Sequence, residues 1–370
     1  MTVPRTSASR TSGASGRAPE SVRDEFLLPG IFAMGMLTAM AVGCRQERTG
    51  SGGEGGRRPE VISNIDAKAT AAGADSGVAV VGGTPASPAR LHPAAQPWAT
   101  WPMPNAALPG LPHPHDYETD VAVVTDKVTG LMWQRNLSET FATFNDAVKM
   151  CDDLRAGGYH DWRLPSRIEL VSILDMSRIE PSIDVTAFPH TPNDWFWSSS
   201  VAADNPTAAW YVYFYFGYPK TDDMTNRFSV RCVRTVKQRP PLPARYRIEP
   251  KEVLDVATGM RWQRTVSPRP FSFEGARSFC SRLALGGKKD WRVPSMVELL
   301  TLIDERAVAS RGSTSTAMID TAAFPSTPAD AFWTSSTFSN SRDRAWYLRF
   351  DQGTGLYGQP TESFHVRCVH

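Results

Sequence analysis

An α+β architecture built twice from one unit is what this sequence predicts, and three observations carry the prediction. First, residues 116–234 and 246–370 repeat one pattern. Trp133 and Trp262 stand 129 apart, as do Cys151 and Cys280, and Trp162 and Trp291. Past a seven-residue insertion near Ser310–Thr316 the offset becomes 136, matching Phe188 with Phe324, Trp197 with Trp333, Trp210 with Trp346 and Cys232 with Cys368. Second, each copy orders its periodicities as hairpin, helix, helix, long loop and strands, so helices and strands are grouped rather than alternating. Third, four of the five cysteines recur as one matching pair per copy. A long period occurring twice indicates tandem globular domains, not a solenoid. Roughly 120 residues are enough for each to bury a core of its own.

Each copy opens on a hairpin. Val121–Val124 leads through Asp126-Lys127-Val128-Thr129-Gly130 into Leu131–Arg135, and the second copy repeats this at Val253–Arg264. Asp at the start of the turn and Gly at its end suit a tight reversal. A helix follows, with Phe144, Ala147, Val148, Cys151 and Leu154 on one stripe, matched by Phe273, Ala276, Phe279, Cys280 and Leu283. Thr143 and Ser272 are the expected N-caps, and Gly157-Gly158 and Gly286-Gly287 the expected stops. The densest shared string comes next, Asp161-Trp162-Arg163-Leu164-Pro165-Ser166 with Glu169-Leu170, against Asp290-Trp291-Arg292-Val293-Pro294-Ser295 with Glu298-Leu299. Its Ser-x-x-Glu is a capping box that starts a second helix, so its acid, base and hydroxyl are expected to be structural. A Pro-rich loop then runs into Phe196-Trp197-Ser198-Ser199-Ser200 and Phe332-Trp333-Thr334-Ser335-Ser336. No Gly-x-Ser-x-Gly elbow surrounds those hydroxyls, which argues against a nucleophile. Trp210, Val212, Phe214 and Phe216 alternate along a following strand, and Val230–Val233 closes the copy.

The chain start carries a different signal. Leu27–Gly43 is apolar and uncharged, follows Arg17 and Arg23, and ends in Ala41-Val42-Gly43-Cys44. This is the pattern of a lipoprotein signal peptide over residues 1–43, with Cys44 as the lipidated residue. Residues 44–115, rich in Gly, Ala and Pro, are expected to be a disordered tether, and 235–245 a linker. In an oxidising compartment Cys151, Cys232, Cys280 and Cys368 would form two disulfides. Duplication favours Cys151–Cys232 and Cys280–Cys368, with pairing across the copies as the alternative. A formal net charge of +2 with 21% charged residues argues against a nucleic-acid reader.

The strings Thr129-Gly130-Leu131-Met132-Trp133-Gln134-Arg135, Asp161–Ser166 with Glu169-Leu170, Phe196–Ser200 and Val230–Arg234 resemble the Lcl C-terminal domain family, and both copies match from end to end. The resemblance implies two tandem C-type-lectin-like domains of α+β class, each with two helices and a mostly antiparallel sheet. It further implies an exported or surface-attached protein, distantly akin to formylglycine-generating enzymes. The family's founding adhesin binds sulfated polysaccharide. This chain lacks that adhesin's collagen-like repeat, and its charge is nearly balanced.

Chemistry built into the repeated unit is not evident. None of the seven histidines is shared: His160 stands opposite Lys289, His190 opposite Ser326 and His365 opposite Ser229. No Cys-x-x-Cys spacing suggests a metal site, and the Thr191-Pro192-Asn193-Asp194 stretch loses its amide in Thr327-Pro328-Ala329-Asp330. No catalytic residue, metal or cofactor is therefore assigned. The shared acids Asp175/Asp304 and Asp184/Asp320 are expected to cap turns or to pair with Arg231/Arg367. Ligand contact is expected where the copies differ, at Tyr211, Tyr213 and Tyr215 on one strand face with Tyr218 beyond Gly217, a row suited to a sugar ring or a protein partner. The function expected is a non-enzymatic, lipid-anchored binding or adhesion protein of the cell envelope, its ligand a glycan or a surface protein. The alternatives are a structural envelope component and an enzyme of the formylglycine-generating type.

Overall fold

The computed structural model describes residues 97–137, 140–237, 244–307, 316–339, 341 and 343–370. The expected signal segment, Cys44 and most of the expected tether lie outside the described residues. The first copy comprises β1 (Tyr117–Thr119), β2 (Val123–Asp126), β3 (Leu131–Gln134), α1 (Phe144–Asp153), α2 (Arg167–Ser172), β4 (Trp195–Val201), β5 (Ala208–Tyr213), β6 (Tyr218–Asp223) and β7 (Val233–Thr235). The second repeats this order as β8 (Tyr246–Ile248), β9 (Glu252–Asp255), β10 (Arg261–Gln263), α3 (Phe273–Ser281), α4 (Met296–Leu300), β11 (Ala331–Thr337), β12 (Ala345–Arg349) and β13 (Thr354–Gly358). All the ladders are antiparallel. The first copy has sheets ordered β1-β2-β3-β7 and β4-β5-β6, and the second β8-β9-β10 and β11-β12-β13. In the second copy the closing segment makes only bridges, from Val369 to Trp262 and Arg292. The α+β class is as expected.

Local chemistry explains the repeated strings. The Asp126 carboxylate accepts from Val128 N and Thr129 N, and Gly130 takes φ +74°, a left-handed conformation glycine adopts at no steric cost. Asp255 and Gly259 repeat the turn. Thr143 and Ser272 cap α1 and α3; Ser295 makes a full capping box, and at Ser166 the Glu169 carboxylate accepts from both the N–H and the hydroxyl of the cap residue. Arg163 clamps Glu169 through two bonds of 2.7 and 2.6 Å, and Arg292 clamps Glu298 through two of 2.7 Å. The second-helix carboxylate thus serves its own N-cap and the preceding strand at once. The Gln134 and Gln263 side chains accept from the N–H of Cys232 and Cys368, tying each hairpin to its disulfide strand.

The disulfides join Cys151 to Cys232 and Cys280 to Cys368. Each anchors a small apolar cluster belonging to one copy, around Trp162, Trp197 and Phe228 in the first and Trp291, Trp333 and Val366 in the second. The main core is not divided that way. Trp133, Ile168, Leu174 and Trp210 share one cluster with Trp262, Leu300, Ile303 and Trp346. Two cores, one per copy, were expected; the structure merges them, because the second-helix faces and the β6 and β13 hairpins of the two copies pack on each other.

Two further expectations are corrected. Residues 97–115, counted with the tether, are packed: Ala99, Trp101 and Met103 are buried in the shared core, and Asn105 is fully buried. Asn105 Oδ1 accepts from Ser295 Oγ at 2.6 Å, so this strap engages the cap of α4. The strand after Trp210 ends at Tyr213, because Gly217, at φ +82°, closes a turn with its N–H on Tyr213 O, and β6 then runs back.

Two equivalent buried acids, Asp126 and Asp255, have pKa values raised by burial and make the fold pH-dependent, and among the described residues Asp126 is the one without a paired cation. Asp126 has no exposed surface, and burial pushes its pKa from 3.8 to about 6. The corresponding Asp255 gains the Arg245 guanidinium at 3.1 Å, whereas the residue aligned with Arg245 in the first copy is another acid, Asp116. Below about pH 4 Asp126 is neutral in both folded and unfolded chains and costs nothing. Above about pH 6 it is charged in both, and the folded state carries a desolvation cost of about 3 kcal/mol at 1.36 kcal/mol per pH unit. Asp126→Asn should therefore gain stability over the parent as pH rises from 4 to 6.5, read by denaturant melts. A pH-independent difference would show the acid to be hydrated.

Candidate functional site

The shared motifs are committed to scaffolding. Ser198 Oγ donates to Trp210 O and Ser200 Oγ accepts from Arg167 N; Thr334 and Ser336 repeat both bonds with Trp346 O and Met296 N. Arg231 and Arg367 are fully buried, and desolvation lowers their pKa to about 9, which leaves them cationic at neutral pH. Their partners are carbonyls of residues 134–135 and 263–264 and the hydroxyls of Thr191 and Thr327, not Asp175, Asp184 or their counterparts. Phe188 and Phe324 lie under the guanidinium groups. The expected capping role is what those acids show: Asp175 accepts from Ser177 N and pairs with Arg178, Asp304 accepts from Arg306 N, Asp184 from Thr186 N and Asp320 from Ala322 N. Among the described residues no group of three or more His, Cys, Asp or Glu is placed to hold a metal ion.

The tyrosines expected on one outward face separate. Tyr211 is buried against Phe228 in the first copy's disulfide cluster. Tyr218, half-buried, turns to the junction and meets Trp346 of the second copy at 6.5 Å. Phe216 does the same, against Phe338 and Tyr357. Tyr213 and Tyr215 stay together, with rings stacked at 5.7 Å and 21°. Their missing partner is Trp195, whose ring lies 5.2 Å from Tyr213 at 25° and whose surface is 41% exposed. Trp195 opens β4 directly opposite Tyr213 in the ladder, which is why the rings meet.

A frame of polar contacts fixes this platform. The Asp194 carboxylate accepts from Trp195 N at 2.7 Å and from Ser229 Oγ at 3.5 Å. The Tyr215 hydroxyl donates to Glu180, which raises its pKa, while burial and then Asp194 raise that of Tyr213. Both phenols are neutral donors at physiological pH. In the second copy Ala331, Arg349 and Asp351 replace Trp195, Tyr213 and Tyr215; Ala331 is buried, and Arg349 binds Asp351 through two bonds. Trp195 was the residue not anticipated. The available signal was a tryptophan aligned with alanine, just ahead of the shared Phe-Trp pair.

Two small α+β domains, each clasped by a disulfide and fused through a common core, define a duplicated scaffold whose copies diverge in surface chemistry. The family model described as Lcl C-terminal domain matches residues 122–234 and 251–370, and the chain belongs to that family in two tandem copies. That membership suggests an exported, binding-type protein. No curated protein matches the sequence.

Proposed function

We propose that this chain is a lipid-anchored, exported binding protein whose C-type-lectin-like first domain presents Trp195, Tyr213 and Tyr215 to a glycan. The observation that carries this reading is the stacked, solvent-facing aromatic ladder, for which the second copy substitutes alanine and an ion pair. Rigid aromatic faces with polar edges suit the apolar face of a sugar ring, at little cost in side-chain entropy. Glu180 and Asp194 beside the ladder disfavour polyanions, so neutral glycans are the expected ligands. Applied to a glycan array, the full chain should bind neutral structures, and Trp195→Ala with Tyr213→Ala should weaken binding more than tenfold without lowering the melting temperature by more than a few degrees. An array without signal, together with a stable protein partner retained by the parent, would replace the glycan with a protein ligand.

The anchor reading rests on the Leu27–Cys44 segment. Metabolic labelling with palmitate should mark the parent and not Cys44→Ser. Equal labelling of both would remove the anchor.

A further inference from the structure

The two copies meet through α2 against α4 and β6 against β13, and the two sides of that junction are not alike. On one side the strap residues Asn105, Ala106, Leu108 and Leu111 close over Met176 and Ser295 and leave about 30 Å³. On the other, where Glu305 is the counterpart of Met176 at the 129 offset, a cleft of about 350 Å³ remains. Its lining draws on both copies: Asp204, Trp210 and Lys220 from the first, and Glu305, Asp351 and Thr354 from the second.

Charge in this cleft is compensated. Glu305 is bound by Arg167 and Asp351 by Arg349, so of the charged lining residues Asp204 and Lys220 remain as one acid and one base. An anionic or cationic ligand would gain no net field there, whereas hydroxyl groups could both donate to the fixed carboxylates and accept from the ammonium. The volume falls within the range of small-molecule sites, about 300–1,000 Å³.

We infer that the open side of the junction is a second binding site, for a small neutral polyhydroxylated molecule such as one saccharide unit. The site goes beyond the aromatic platform and shares no residue with it. Its formation requires both copies, which gives the duplication a use that a single domain could not have.

The test is calorimetric titration of the full chain with glucose, galactose and N-acetylglucosamine, with glucuronate and glucosamine as charged counterparts. At least one neutral sugar should bind. Asp204→Ala with Lys220→Met, both on the exposed rim, and separately Thr354→Val should weaken that binding at least tenfold. Trp195→Ala with Tyr213→Ala removes the platform's share of sugar binding; in that background the cleft's share should persist and be lost only with the cleft variants, so failure here and failure of the platform are told apart. The proposal is overturned if none of the neutral sugars binds, if a charged counterpart binds more tightly, or if binding survives the cleft variants and is lost with Trp195.

Discussion

Arg167→Met and Glu305→Met should each destabilise the protein by about 3–5 kcal/mol, whereas the double variant should lie near or above the parent. Arg167 is the first residue of α2 and is fully buried; its Nε bonds Glu305 Oε1 at 2.5 Å and its Nη2 reaches Ile303 O at 3.4 Å. The guanidinium also lies 5.5 Å from the Trp210 ring centre. Removing either partner strands the other charge in a core assembled from both copies. The positions equivalent to Arg167 and Glu305 are Met296 and Met176, both in the same shared core. The fold therefore already accommodates methionine at the equivalent positions, and a methionine pair should pack with little strain. Denaturant melts of the four proteins yield the coupling energy from a double-mutant cycle. A single variant within about 1 kcal/mol of the parent would show that the pair is hydrated rather than desolvated. The pair is also shielded from solvent, so the single-variant losses should change little with salt, unlike those of a surface bridge.

The same comparison explains what the sequence alone could show. Matching the copies identifies residues that one unit needs, so the capping boxes, the Asp–Gly turns, the helix stripes and the disulfide partners were legible. Each is a local signal, repeated. The shared core is lined mostly by matching residues, but repetition does not say which faces meet, and it carries no information about junction residues that differ between copies, such as Arg167 against Met296 and Glu305 against Met176. Trp195 was hidden for the same reason, since it aligns with a buried alanine. The β6 strand lay beyond the strand expected from Trp210 to Phe216; it tolerates Pro219, opposite Val212 in the ladder, because it lies at the edge of its sheet. The strap was hidden by nine prolines between Pro85 and Pro114, although Trp98, Trp101 and Met103 among them are too apolar for a spacer in water.

Replacing Cys151 and Cys232 together by alanine should cost about 2–5 kcal/mol, and the same change at Cys280 and Cys368 a similar amount. The sequence separations of 81 and 88 correspond to about 4.5 kcal/mol of loop-closure entropy in the unfolded chain at 25 °C, which sets the upper part of that range. Both bonds lie in the copy-specific clusters, where each ties a first helix to the closing segment, and not in the shared core. Two consequences follow from that placement. Loss of either bond should appear first as faster amide exchange in α1 or α3 of the affected copy, because those helices bury only Ala147 and Cys151, or Ala276 and Cys280. Thermal unfolding should nonetheless remain one transition, lowered in temperature, since the main apolar cluster runs through both copies. Two separate transitions in either variant, with one copy melting at the parent temperature, would show that the copies fold independently and that the shared cluster does not couple them. A single lowered transition with exchange confined to the altered copy makes the disulfide a local clasp on a globally cooperative pair.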